Sequence, residues 1–85
     1  MSIYDSAYRR FLSELRVARQ AKELSQEQLA ERLGKHQTFV SKVEQGQRYL
    51  DVLEFVRWSK AIDADPAKLI SGLRDELLTR GSRRK

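Results

Sequence analysis

Cysteine is missing from this chain altogether. That absence removes disulfides and thiolate metal sites, and it suits a reducing compartment such as the cytosol. There is a single histidine, His36, with no thiol or second imidazole to complete a metal site, so no metal is expected. Proline occurs once and glycine four times, a composition that fits a compact helical protein. No apolar run approaches the ~20 residues that span a bilayer. The opening residues, Met1 to Ser6, lack the basic and apolar regions of a signal peptide, and a cytoplasmic location away from membranes is the expectation. No internal repeat or low-complexity segment stands out. Nor is there a glycine-rich phosphate loop, a histidine paired with a nucleophile, or a cluster of ligating side chains. Asp63 and Asp65 have the look of capping residues in a loop. An enzyme is therefore not expected, and neither is a cofactor.

What the chain does have is charge and helical periodicity. Its 85 residues are 34% charged and 40% hydrophobic, enough for one domain with a modest core. The net charge is +5, with an isoelectric point near 9.9, which suggests a polyanionic partner without proving one. The domain is expected over residues 1–79. Residues 80–85, with Arg80, Arg83, Arg84 and Lys85 and nothing apolar, are expected as a disordered basic tail.

Residues 26–46 organise the rest. Leu29, Ala30 and Leu33 give one short helix an apolar face, and Gly34 follows where a helix ends in the left-handed conformation that glycine adopts cheaply. Apolar positions restart at Val40 and Val43, and Gly46 closes a second helix. Two short helices joined by a tight turn must pack on each other and on something else. The outward face of the second carries Gln37, Thr38, Ser41, Lys42 and Gln45, rich in donors and free of acid, which is chemistry suited to base edges in a DNA major groove. The pattern reads as a helix-turn-helix whose second helix recognises DNA. Within it, Gln37, Thr38, Ser41 and Lys42 are the candidate base contacts.

The segment resembles the lambda-repressor-like, Cro/Xre-type helix-turn-helix family. The resemblance is carried by Ser25-Gln26, Leu29-Ala30, Leu33-Gly34, Val40-Ser41-Lys42-Val43-Glu44 and Gly46-Gln47-Arg48, and it runs from about Leu15 to about Leu69. It implies an all-α fold of five helices with the helix-turn-helix at the second and third. It also implies a transcriptional regulator, most simply a repressor, acting on double-stranded DNA. So short a chain leaves no room for a ligand or sensor domain, and no small-molecule ligand is expected. A protein-interaction module of antitoxin type, which holds a partner and regulates its own promoter, is the alternative on the same fold. The resemblance further implies that Arg19 pairs with Glu44, against the plainer reading of a solvated arginine. Gln26 would touch a phosphate, or be an ordinary polar residue at a helix start. Lys35, His36, Gln45 and Arg48 complete the candidate backbone contacts. His36 stands where many family members have serine or threonine, so the third helix is expected to be poorly capped. Phe39 either borders the core or contacts a sugar or thymine methyl.

Around this segment, Tyr8, Phe11, Leu12, Leu15 and Ala18 form the buried stripe of a first helix capped by Asp5 or Ser6. Ser25 with Gln28, and Asp51 with Glu54, are capping boxes. Val52, Phe55, Ser59 and Ile62 are the expected inner stripe of the fourth helix, flanked by Val56 and Trp58. Asp65 and Pro66 open the fifth. There Leu69, Ile70, Leu73 and Leu77 make two apolar stripes. One stripe packs inward, and the other either faces a symmetry mate in a homodimer on a palindromic operator or is covered by Trp58, Val56, Tyr4 or Tyr8.

Overall fold

Residues 6–83 are described by the computed structural model of the chain, with side chains as far as residue 78. They form five helices: α1 (Ser6–Ala21), α2 (Gln26–Leu33), α3 (Gln37–Glu44), α4 (Val52–Ala61) and α5 (Pro66–Arg83). No strand occurs among the described residues.

The helix starts follow from side chains that satisfy otherwise unpaired N–H groups. Ser25 Oγ accepts from Gln28 N at 3.0 Å while Gln28 Oε1 accepts from Ser25 N at 2.8 Å, closing the expected box at α2. Asp51 and Glu54 do the same at α4, at 2.7 and 3.0 Å. At α5, Asp65 Oδ1 accepts from Ala67 N at 2.9 Å, across Pro66. The α1 start at Ser6 agrees with the sequence expectation; Asp5 and Tyr4 lie outside the described residues.

The helix ends share one device. After each of α1 to α4, a residue in the left-handed region turns the chain and the next N–H reaches back across the last turn. The returning bonds are Leu24 N to Arg19 O, Lys35 N to Ala30 O, Gln47 N to Lys42 O and Ala64 N to Ser59 O, between 2.8 and 3.3 Å. Gly34 and Gly46 supply the turn after α2 and α3, at φ of 68° and 78°. After α1 and α4 the same turn is made by Glu23 and Asp63, at 58° and 57°, with no glycine to mark it.

Leu15, Leu29, Val40, Val43, Trp58 and Ile62 are wholly buried and lock α1, α2, α3 and α4 around one centre. Each such side chain stabilises the fold by ~1.5–3 kcal/mol relative to exposure. Helix α5 lies along α1 and adds Leu69 and Leu73 to the rim of the core. Val52 departs from its expected inner position and is 80% exposed. It stands ten residues before Ile62, and a 3.6-residue turn leaves it roughly 80° off the buried stripe. Helix α5 also runs on to Arg83, so residues 80–83, expected in an irregular tail, continue the helix. No proline interrupts the sequence there, so the hydrogen-bond ladder propagates past the last apolar residue. Residues 84 and 85 lie outside the described residues.

Candidate nucleic-acid interface

Helix α3 buries Val40 and Val43 and turns its other side outward. Gln37, Thr38, Lys42 and Gln45 are exposed there, and Ser41 is half-buried, its Oγ accepting from Gln45 Nε2 at 3.2 Å. The structure therefore brings all four candidate base contacts onto one face, with no acidic side chain on it.

The start of α3 corrects the expectation for His36. The imidazole caps the helix: Nδ1 accepts from Thr38 N at 3.2 Å and lies 2.9 Å from Thr38 Oγ1. With extended backbone at φ −76°, ψ 150°, the ring folds back over the first turn as an asparagine would. An accepting Nδ1 puts the ring proton on Nε2, which leaves that N–H directed away from the cap.

Phe39 is half-buried and sits at the core edge, its ring centroid 6.1 Å from that of Trp58. Its ring is also a platform for two cations. Lys35 Nζ stands 5.3 Å from the centroid, and the Arg48 guanidinium stands 4.7 Å from it. One cation comes from the turn before α3 and the other from the loop after it. Arg48 is further clasped by Glu54, NH1 and NH2 donating to its two carboxylate oxygens at 2.8 and 2.9 Å. The clasp raises the Arg48 pKa and, with the Asp51 N–H second, lowers that of Glu54 to about 2.

The buried pair is present. Arg19 donates from Nε to Glu44 Oε2 at 2.6 Å and from NH2 to Oε1 at 3.0 Å, and its NH1 holds Leu24 O at 2.7 Å. Gln26 Nε2 donates to Glu44 Oε1 at 2.9 Å, so Gln26 turns toward the core carboxylate rather than lying free at the helix start. Its Oε1 accepts from Gln37 Nε2 at 3.3 Å.

Arg9 and Arg16 of α1 were not among the candidate contacts. With Leu12, Ser13, Glu44, Gln45 and Gly46 they line a cleft of about 340 Å³ beside the end of α3, and Arg16 Nε lies 3.5 Å from Glu44 Oε1. No local pattern could have revealed this, because it depends on how α1 crosses α3.

The sequence pattern of the helix-turn-helix family matches residues 15–69, nearly two-thirds of the chain and the span over which the resemblance was drawn. The chain belongs to the helix-turn-helix family. A solved structure described as an XRE-family like protein from Pseudomonas syringae pv. tomato is 42% identical, with 87% of this chain and 90% of that one covered at a TM-score of 0.80. That likeness puts this helix-turn-helix protein with the Xre type. Among curated proteins no sequence matches. Helix-turn-helix proteins of this type are DNA-binding transcriptional regulators, and α2 and α3 are the two helices of the motif. No helix among the described residues is long and apolar enough to cross a membrane.

Proposed function

We propose that this chain is a sequence-specific repressor that lays α3 in the major groove. The observation that carries the reading is the outer face of α3. It is polar, acid-free and flanked by cations on both sides, Lys35 and Arg48 on the Phe39 ring and Arg9 and Arg16 across the cleft. In this reading Gln37, Thr38, Ser41 and Lys42 meet bases, while Lys35, His36 Nε2, Gln45, Arg9 and Arg16 meet phosphates. Arg48 reaches a phosphate only by loosening its clasp on Glu54. One recognition helix reads too few base pairs to select a genomic site, so two copies act on half-sites ~34 Å apart in a palindromic operator. Leu69 and Leu73 are taken up by the core, which leaves Ile70 and Leu77, 39% and 46% exposed, as the seat of the two-fold contact.

Selection from random duplex DNA tests the proposal. The expected outcome is one enriched palindrome whose binding weakens by about 0.9 log unit per log unit of salt for every phosphate neutralised. Affinity that is flat in salt, with no enriched sequence, would remove it. A second reading, the antitoxin-type module, draws support from Leu53 and Val56 of α4, 60% and 47% exposed beside the exposed Val52. Co-purification of a small protein that masks α4 favours that reading; recovery of the chain alone on its operator counts against it.

A further inference from the structure

Helices α2 and α4 leave a groove of about 410 Å³ between them, lined by Arg32, Leu33, Arg57, Lys60 and Ala61. Arg32 braces it: NH1 donates to Ala61 O, in the last residue of α4, at 2.8 Å. That bond ties the end of α2 to the end of α4. Leu33 and Ala61 are half-buried and make an apolar floor, while the three cations are exposed around it. No acidic side chain lines the groove. Among the described residues, none of the three cations is in an ion pair. The same chemistry continues along the outer face of α4. Leu53, Val56, Arg57 and Lys60 fall at i, i+3, i+4 and i+7, which is one stripe of a helix. Its first half is apolar and exposed, and its second half is cationic. Single exposed apolar side chains are ordinary, but two on one stripe with a cationic groove make a contiguous surface of mixed chemistry.

We infer that this groove docks an acidic amphipathic helix of another protein. Other occupants fit it less well. A phosphate backbone would satisfy the cations but leave Leu53 and Val56 without a counterpart. A second copy related by a two-fold axis would set the cationic stripe against itself. The chain's own end, with Arg80, Arg83, Arg84 and Lys85, carries the same sign as the groove. A helix with apolar residues at i, i+3 or i+4, and i+7, flanked by carboxylates, matches both halves of the surface. Its apolar side chains cover Leu53, Val56 and the floor, and its carboxylates meet Arg32, Arg57 and Lys60. The same cations steer such a segment toward the groove before contact. The inference goes beyond the DNA-binding reading and does not depend on it. No residue of the groove belongs to α3 or to the candidate DNA contacts, so the chain is expected to hold duplex and partner together. It also gives the exposed residues of α4 a partner chemistry, whether or not that partner is a toxin.

The probe is a labelled synthetic peptide, helix-forming, with leucines on one face and glutamates beside them. One control has the same composition with its leucines dispersed around the helix. Another has lysine in place of each glutamate. Fluorescence anisotropy with the full chain, at concentrations up to millimolar, gives the affinities, and backbone amide NMR shifts locate the peptide. The acidic peptide should bind, weaken with salt, and move amides of α2 and α4. Both controls should bind about tenfold more weakly or worse. Arg57→Glu with Lys60→Glu should weaken the acidic peptide by about tenfold and strengthen the lysine peptide. A swap of preference cannot come from lost folding. Leu53→Ser with Val56→Ser should weaken the acidic peptide and keep its salt dependence. Arg32 is left unchanged because it braces α4. Absence of binding at millimolar concentration overturns the inference. So does equal binding of the dispersed-leucine peptide, which shows attraction by charge alone. Amide shifts on α3 and the Arg9–Arg16 cleft, or displacement by excess duplex, place the peptide on the nucleic-acid face and overturn it as well. A wild type that selects no duplex removes the DNA reading and leaves these titrations standing.

Discussion

Removing either member of the Arg19–Glu44 pair leaves the other charged and shielded from water, at 7% and 6% exposure. Breaking such a pair costs ~3–5 kcal/mol, because the survivor loses its counter-charge without regaining solvent. The two losses should be unequal. After Arg19→Met, Glu44 keeps Gln26 Nε2 at 2.9 Å and has Arg16 Nε at 3.5 Å. The Arg16 side chain is 48% exposed and free to swing inward. After Glu44→Leu, Arg19 keeps Leu24 O at 2.7 Å but loses both bonds to the carboxylate. Glu44→Leu therefore belongs at the upper end of the range and Arg19→Met at the lower. The double substitution buries two apolar side chains in place of two charges, an exchange that is often neutral or better. It should unfold at higher urea than Glu44→Leu alone. Urea titrations followed by circular dichroism, with a shared slope, give the three stabilities. For a domain of this size each ~1 kcal/mol moves the melting temperature by ~4–8 °C, so the ordering is easily resolved. Strictly additive losses, or a milder effect of Glu44→Leu than of Arg19→Met, would refute the reasoning.

Other perturbations have expected outcomes as well. Glu54 is held at about 2 against an ordinary 4.5, so its clasp on Arg48 stabilises the fold above 4.5 and that contribution fades as pH falls toward 2. The urea-midpoint gap between wild type and Glu54→Gln should be constant near neutrality and close in acid; a gap independent of pH would contradict this. Freed by the same change, Arg48 should bind duplexes more tightly in low salt and with a steeper salt slope. Glu23→Gly relieves a left-handed residue, and the gain, offset by greater freedom of the unfolded chain, should be up to ~1 kcal/mol in thermal melts. Asp63→Gly should behave alike, since its ion pair with Lys22, at 3.6 Å with side chains 88% and 47% exposed, contributes little. Finally, Ile70→Asp with Leu77→Asp should abolish dimers in sedimentation at micromolar concentration while leaving the helix content intact; a wild type that sediments as a monomer and binds a half-site as tightly as the palindrome rules out the two-fold contact.

Three of the helix starts were legible because each depends on side chains within four residues. Ser25 with Gln28, Asp51 with Glu54, and Asp65 before Pro66 all cap as their types dictate. The two glycine ends were legible for the same reason. The ends at Glu23 and Asp63 were not, because an acid in the left-handed region leaves no compositional mark. Val52 was misplaced because a residue in the first turn of a helix can match a periodic stripe loosely and still overhang the core. His36 was misjudged from its residue type alone, whereas its ring nitrogen lies within reach of the Thr38 N–H. The face of α3 could be named in advance. Its surroundings could not, since the Phe39 platform, the Arg9–Arg16 cleft and the turn of Gln26 toward Glu44 all arise from packing between helices.

The left-handed closures that end α1 to α4 bear on how the chain folds. Each is made by a bond that spans five residues, so it can form before any helix has found its neighbour. The connections they begin are short, and most contacts that follow are local, the packing of α5 along α1 apart. A topology of this kind belongs with the helical domains that fold in microseconds to milliseconds. Stopped-flow refolding should then show a single fast phase. Gly34→Ala, which strains a turn whose Cβ would touch nothing, would report through its folding rate whether that closure precedes the meeting of α2 and α3.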